Sequence, residues 1–272
     1  MDELLKERIK RRDRWTCKIC GARFVDLKVY DFVNLDTNEP DSITLCKKCF
    51  KGISNEDTRK LLTSLVRTNK VVLIGDCHGR FGNLDRVLSS EEPFDFFISV
   101  GDVGSLRDVT PQNLHLIEKW RGKGFFVRGN HDNIQFFNQL DVSQEIRGIK
   151  VSGLNGILKS RTFLRDTHNN ISFREVLYLS HLKDVDILVT HQPPTGLFND
   201  AGEPALAELM NYLVPKIYAC GHTHRYKLKF YLQTFVISLP MIHRGYAVAY
   251  FQGRDLRNLE IILKKGKKFI RV

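Results

Sequence analysis

The sequence predicts an α/β protein with a mixed sheet or a second sheet, preceded by a small cysteine-rich module. Three observations predict it. From Lys70 onward, short apolar runs of strand length alternate with amphipathic segments of helix length. The 272 residues, 42% hydrophobic and 27% charged, can bury a large core, which excludes a disordered, collagen-like or disulfide-miniprotein chain. All paired cysteines fall within residues 1–52. The division read from these features is residues 1–54, a zinc-binding module; 55–69, a connecting helix; and 70–272, the larger domain.

The first element is basic, with Lys6, Arg8, Lys10, Arg11, Arg12 and Arg14 close together. It contains no apolar h-region or small-residue cleavage site, and the chain has no run of about 18 apolar residues. The expectation is a cytoplasmic (intracellular) protein with no membrane partner. Two C-x-x-C pairs follow, Cys17/Cys20 and Cys46/Cys49, while Cys77 and Cys220 stand alone. Without a secretion signal, such pairs read as metal ligands before disulfides. Residues 55–68 read as a helix capped by Ser54 or Asn55, with Glu56 and Asp57 in its first turn.

Strands are expected at Val71–Ile74, Phe94–Val100, Phe125–Val127, Ile149–Val151, Ile187–Thr190, Lys216–Ala219, Thr234–Leu239 and Tyr246–Phe251, with helices such as Asn83–Leu88 and Ala205–Leu213 between them. Little helix separates the strands of 234–263, hence the mixed or second sheet. The net charge of +11 fits a polyanionic partner or substrate, and equally a lysine-rich soluble surface.

Four thiolates in two pairs, with 25 residues between the pairs, suit one tetrahedral structural Zn²⁺. The stretches Arg12–Gly21, Leu27–Phe32 and Ile43–Phe50 resemble the zinc-stapled frame of HNH endonucleases. That resemblance implies a small treble-clef-like domain. This chain departs from the HNH pattern where members carry a histidine pair (here Tyr30 and Asp31), an asparagine (Asp41) and a histidine after the last cysteine (Phe50). With no imidazole to activate water, the module reads as one that keeps its zinc without its own chemistry. Nucleic-acid binding and protein docking both remain open for it.

The catalytic argument rests on residues 75–224. Gly75-Asp76-Cys77-His78-Gly79, Gly101-Asp102, Gly129-Asn130-His131-Asp132, His191 and Gly221-His222-Thr223-His224 each follow an expected strand. Ligand sites in α/β sheets form at such strand ends, and glycine lets the backbone turn sharply and approach closely. The ordered pattern D-x-H, G-D, G-N-H-D, H, G-H-x-H resembles the calcineurin-like metallophosphoesterases.

The resemblance implies an αββα two-sheet sandwich with two metal ions in its edge cleft. It implies that Asp76, His78, Asp102 and His224 hold one ion and that Asp102, Asn130, His191 and His222 hold the other. Mn, Fe or Zn all suit such ligands. Two ions about 3.5 Å apart clamp a phosphate and supply a bridging hydroxide for in-line attack. His131 is implied to face the leaving oxygen, with Asp132 orienting it.

A narrower resemblance is to RNA lariat-debranching enzymes, carried by Gly101–Asp108, Lys150–Ser160 and Glu203–Leu209. It points to Arg107 and Asn155 as substrate contacts. Many debranching enzymes carry cysteine where Asp76 stands, and their insertion is longer than residues 160–186. Gly101–Arg107 reads GDVGSLR, unlike the G-D-x-V-D-R-G of serine/threonine phosphoprotein phosphatases. The leading expectation is a dinuclear phosphodiesterase acting on a nucleic acid (RNA or DNA) or a nucleotide. The alternatives are a protein or metabolite phosphomonoesterase with a docking module, and a non-catalytic zinc-finger binding protein.

Overall fold

The computed structural model describes residues 3–13, 15–19, 22–23, 25–33, 40–51, 62, 67–140, 142–158, 171, 173–182, 184–198, 202–264 and 266–271. The chain divides into two compact units, Met1–Thr68 and Asn69–Val272. Apart from Leu62, Arg67, Thr68 and Asn69, the expected connecting helix lies outside the described residues, and Thr68 and Asn69 open a strand in place of ending that helix. Among the described residues, no helix is long and apolar enough to cross a membrane.

In the first unit, the helix Glu3–Arg12 precedes an antiparallel pair, β1 (Leu27–Val33) and β2 (Pro40–Cys46), and the short helix Lys47–Lys51 follows. Its small core joins Cys17, Ile43, Leu45, Cys46 and Leu62. Asp13 ties the first helix to β2: its buried carboxylate accepts from the Thr44 N–H at 2.7 Å and pairs with Arg12 at 2.8 Å.

The second unit holds two sheets. One runs β15 (Gly266–Arg271), β14 (Asp255–Leu263), β13 (Gly245–Gln252), β3 (Thr68–Ile74), β4 (Phe96–Ser99), β5 (Gly124–Phe126) and β6 (Asn138–Gln139). The other runs β11 (Lys227–Tyr231), β12 (Thr234–Ser238), β10 (Ile217–Cys220), β9 (Ile187–Thr190), β8 (Ile149–Leu154) and β7 (Gln144–Ile146). The strands β3 to β6 are parallel, as are β8, β9, β10 and β12.

Alternation along each strand builds the layers, because successive side chains point to opposite faces. Val71 and Leu73 of β3 join Ile187, Val189, Ile217 and Ala219 in a core shared by both sheets. Val72 and Ile74 face the other way, packing with Leu84, Leu88, Ile117 and Trp120 from the helices Phe81–Glu91 and Pro111–Arg121. On the far face of the second sheet, Leu188, Tyr218 and Val236 pack with Leu179 of the helix Phe173–Ser180 and with Leu206, Leu209 and Met210 of the helix Pro204–Leu213. The result is the layered two-sheet α/β fold that the sequence predicted.

The helix Pro111–Arg121 is well marked locally: Thr110 caps it by accepting from the Asn113 N–H, and proline opens its first turn. The elements outside the predicted set are mostly weakly patterned. They include β6, two residues long, and β11, a half-exposed strand at the sheet edge.

Candidate metal centre

Parallel strands deliver their C-terminal ends to one edge, and the polar clusters sit there. The loops after β3, β4, β5, β9 and β10 carry Asp76/His78, Asp102, Asn130/His131, His191 and His222/His224. Four of these residues lie in the left-handed backbone region: His78 (φ 46°), Asp102 (φ 48°), His222 (φ 65°) and His224 (φ 55°). Such conformations cost about 1–3 kcal/mol each and persist where the surroundings enforce them. Glycine permits the close approach. A Cβ on Gly129 would stand 2.1 Å from Asp102 Oδ1, and one on Gly221 would stand 2.3 Å from Asp76 Oδ1.

Single ligand atoms of Asp76, His78, Asp102 and His224 lie within 4.8 Å of one another. His224 Nε2 is 2.8 Å from Asp76 Oδ2 and 3.1 Å from His78 Nε2. Around the other side of Asp102, His191 Nε2 lies 3.3 Å from Asp102 Oδ2, 3.1 Å from Asn130 Oδ1 and 3.3 Å from His222 Nδ1. All seven sequence-predicted ligands therefore converge, with Asp102 common to both groups. Asp76 Oδ1 is buried without a hydrogen-bond partner among the described residues. An orphaned carboxylate oxygen beside converging imidazole nitrogens is a donor set that fits divalent cations.

Without a cation, pairing with carboxylates raises the pKa of His191 and His224, while burial lowers that of His78 and His222. Burial opposes charge on both Asp102 and His191, but their mutual hydrogen bond prevails: the carboxyl is held down to about 2 and the imidazole is pushed up to about 9. His191 Nδ1 also lies 2.9 Å from the Val100 carbonyl, which orients the ring so that Nε2 faces Asp102. At His78 and His222 burial is the main influence and lowers the pKa, favouring the neutral imidazole that a metal requires.

His131 is exposed, with its ring centroid 5.6 Å from that of His78 and its backbone N–H on Asp102 Oδ1 at 2.9 Å. Asp132, expected to orient His131, is fully buried and turned to backbone instead. Its two oxygens accept from Gly104 N–H at 3.0 Å and Gly129 N–H at 2.8 Å. It ties the Asp102 loop to the Asn130 loop. Burial pushes its carboxyl up to about 6 against those two hydrogen bonds.

Asn155, expected to contact substrate, likewise serves backbone: its Oδ1 accepts from Arg128 N–H at 2.9 Å and its Nδ2 donates to the Leu140 carbonyl at 2.8 Å. Arg107 is exposed in the 3-10 turn Leu106–Asp108, and no ion pair engages it among the described residues. That turn is held by Asp108, which accepts from the Ser105 N–H and hydroxyl. Cys77 is a core thiol, pushed up to about 12 by burial.

In the first unit, the sulfurs of Cys17, Cys46 and Cys49 lie within 4.8 Å of one another, while Cys20 lies outside the described residues. The Tyr30 and Phe50 rings stack with centroids 3.5 Å apart. These are two of the positions where the HNH pattern carries histidine.

Residues 69–226 match the calcineurin-like phosphoesterase family. The chain belongs to that family. Calcineurin-like phosphoesterases are metal-dependent phosphoester hydrolases with a dimetal centre, and the second unit carries the side chains for one. Among curated proteins, the chain is similar to lariat debranching enzymes of Schizosaccharomyces pombe and Homo sapiens. Each is 22% identical over 57% of this chain, covering 48% and 42% of the relative. The chain thus spans about half the length of the curated relatives it matches. The fold is shared with a Thermus thermophilus protein (TM-score 0.55, 15% identity, 72% of this chain and 99% of the other). It is also shared with a dimetal phosphatase from Danio rerio (TM-score 0.53, 11% identity, 75% of this chain and 98% of the other).

Proposed function

We propose that the protein is a dinuclear phosphodiesterase acting on a nucleic acid or a nucleotide. The observation that carries the reading is the convergence of seven ligand-type side chains around Asp102, with Asp76 Oδ1 left for a cation. Asp76, His78, Asp102 and His224 would hold one ion, and Asp102, Asn130, His191 and His222 the other. When bound, two such cations neutralise phosphate charge and acidify water. The chain's own residues do the rest. Asp102 is the shared carboxylate, His191 is oriented by the Val100 carbonyl, and His131 stands free at the edge to protonate a leaving oxygen.

The diester and nucleic-acid part of the reading is supported by the similarity to lariat debranching enzymes and by the net charge of +11. Cys17, Cys20, Cys46 and Cys49 would hold one structural Zn²⁺, supported by the clustering of three of their sulfurs.

Turnover of bis(p-nitrophenyl) phosphate should exceed that of p-nitrophenyl phosphate, and Asp102→Ala should abolish it with loss of both ions. A preference for the monoester would move the protein to the phosphomonoesterases, with the zinc module as a docking domain. Two tightly held ions with full turnover in Asp102→Ala would refute the bridging assignment. Branched, linear and cyclic oligonucleotides would then define the diester.

A further inference from the structure

A cavity of about 480 Å³ in the second unit shares no residue with the metal set. Arg128, Gln139, Ser143, Asn155 and Tyr178 contribute to its wall. Its size falls in the usual range for small-molecule sites, roughly 300–1,000 Å³. Two of its residues are left without an explanation by the fold.

The first is Arg128. Its Nε is buried and has no hydrogen-bond partner among the described residues, and no ion pair joins its guanidinium to any of them. A half-buried cation without an anion is costly unless a ligand supplies one. Its backbone is rigidly held: the N–H donates to Asn155 Oδ1 at 2.9 Å, and the carbonyl accepts from Gly156 N–H at 2.7 Å. The side chain therefore starts from a fixed base.

The second is Tyr178, on the helix Phe173–Ser180. Val176 and Leu179 of that helix are buried, whereas Tyr178 is 63% exposed at the cavity wall. A planar guanidinium suits the bidentate recognition of phosphate, and an aromatic face suits a nucleobase. The Gln139 amide and Ser143 hydroxyl add hydrogen-bonding groups to the same wall. Arg128 precedes Asn130 by two residues, so the Cα atom that carries the cavity's cation lies at most about 7 Å from that of a candidate ligand.

We propose that this cavity is a nucleotide subsite flanking the metal centre. Arg128 takes a phosphate other than the one being cleaved, and Tyr178 stacks on the attached base. The subsite gives the diesterase a preference for nucleotide substrates, and in that respect rests on the reading above. It assigns Arg128 to binding and not to the reacting phosphate, because the cavity it lines contains none of the seven candidate ligands.

The test uses the full chain and its Tyr178→Ala, Arg128→Gln and Arg128→Lys variants, with folding checked by circular dichroism. The substrates are bis(p-nitrophenyl) phosphate, the dinucleotide TpT, and the phosphorylated forms pTpT and TpTp. Wild type should prefer one phosphorylated dinucleotide over TpT. Arg128→Gln should erase that preference, and Arg128→Lys should restore part of it. Tyr178→Ala should lower kcat/KM on all the dinucleotides by roughly 5- to 150-fold, the span of one lost base stack. All variants should turn over bis(p-nitrophenyl) phosphate at the wild-type rate.

Equal loss on every substrate would overturn the proposal by putting Arg128 on the reacting phosphate; so would no loss on any. AMP binding to chelator-treated protein, measured by calorimetry, reads the cavity without catalysis. Binding that Tyr178→Ala weakens, in a chain that cleaves no dinucleotide, would refute the diesterase reading and keep the subsite. Dinucleotide turnover with AMP affinity unaltered in both Tyr178→Ala and Arg128→Gln would remove the subsite and keep the diesterase. If Arg128→Gln does not fold, the exposed Tyr178 carries the test alone.

Discussion

A general acid has to reach the departing oxygen without being consumed as a metal ligand. His131, the proposed acid, is exposed and lies beside His78, and its ring is outside the interlocked set around Asp102. In the proposed role, His131→Gln keeps metal binding and slows turnover by roughly 10²–10⁴-fold. The loss shrinks on nitrophenolate leaving groups, which need little protonation; a Brønsted series of aryl and alkyl diesters checks this. Asp102 and His191 each favour the other's charged form. The His191 pKa is raised from 6.5 to about 9, so its contribution to stability in the metal-free protein is complete below pH 6.5 and is lost as pH rises through 9. A cation at the same nitrogen replaces that proton. Adding Mn²⁺ or Zn²⁺ to chelator-treated protein near pH 7.5 should therefore release a proton that His191→Gln does not. Calorimetry in buffers of different ionisation enthalpy measures this.

At the scale of elements, the site depends on where strands stop. The strands β3, β4 and β5 run parallel and in register, with Ile74 opposite Ser99 and Ser99 opposite Phe126, so their following loops emerge side by side. Asp132 then fastens the β4 and β5 loops together through Gly104 and Gly129. Gly129 is small for a packing reason: any Cβ would strike the Asp102 carboxylate. Gly129→Ala should therefore lower the metal content of the protein and its diester turnover together, while the apolar core keeps the fold intact. Metal analysis beside a thermal melt checks this; full metal occupancy with normal turnover would contradict the close approach.

At the scale of the whole molecule, the candidate ligands and the cysteine cluster fall in different compact units. All seven candidate ligands, His131 and the Arg128–Tyr178 cavity lie in Asn69–Val272. The cysteine cluster and the basic helix Glu3–Arg12 lie in Met1–Thr68. A chain beginning at Arg67 should hydrolyse bis(p-nitrophenyl) phosphate as the full chain does. If the first unit recruits nucleic acid, its removal should weaken oligonucleotide binding and flatten the salt dependence, because each lost phosphate contact releases fewer counterions. Unchanged affinity and slope would assign the first unit to protein docking. Loss of nitrophenyl diester turnover in the folded shorter chain would place part of the active site in Met1–Thr68.

The candidate ligands that the structure brings together were legible in the sequence because they are local signals. Each is a short polar block with glycine at the end of an apolar run, and the parallel strands carry all five blocks to one edge. The unbroken apolar run Val71–Ile74 likewise read as a strand, and both of its faces are buried. Other features depend on residues distant in the chain, where no local pattern speaks. Tertiary structure alone decided that Asp132 and Asn155 hold backbone, since partners such as Gly104, Arg128 and Leu140 come from other loops. It decided how the strands divide into two sheets, because pairing is set by packing across the core and not by the composition of any strand. It also brought Arg128 and Tyr178 to one cavity, from a strand end and a helix that no sequence motif links.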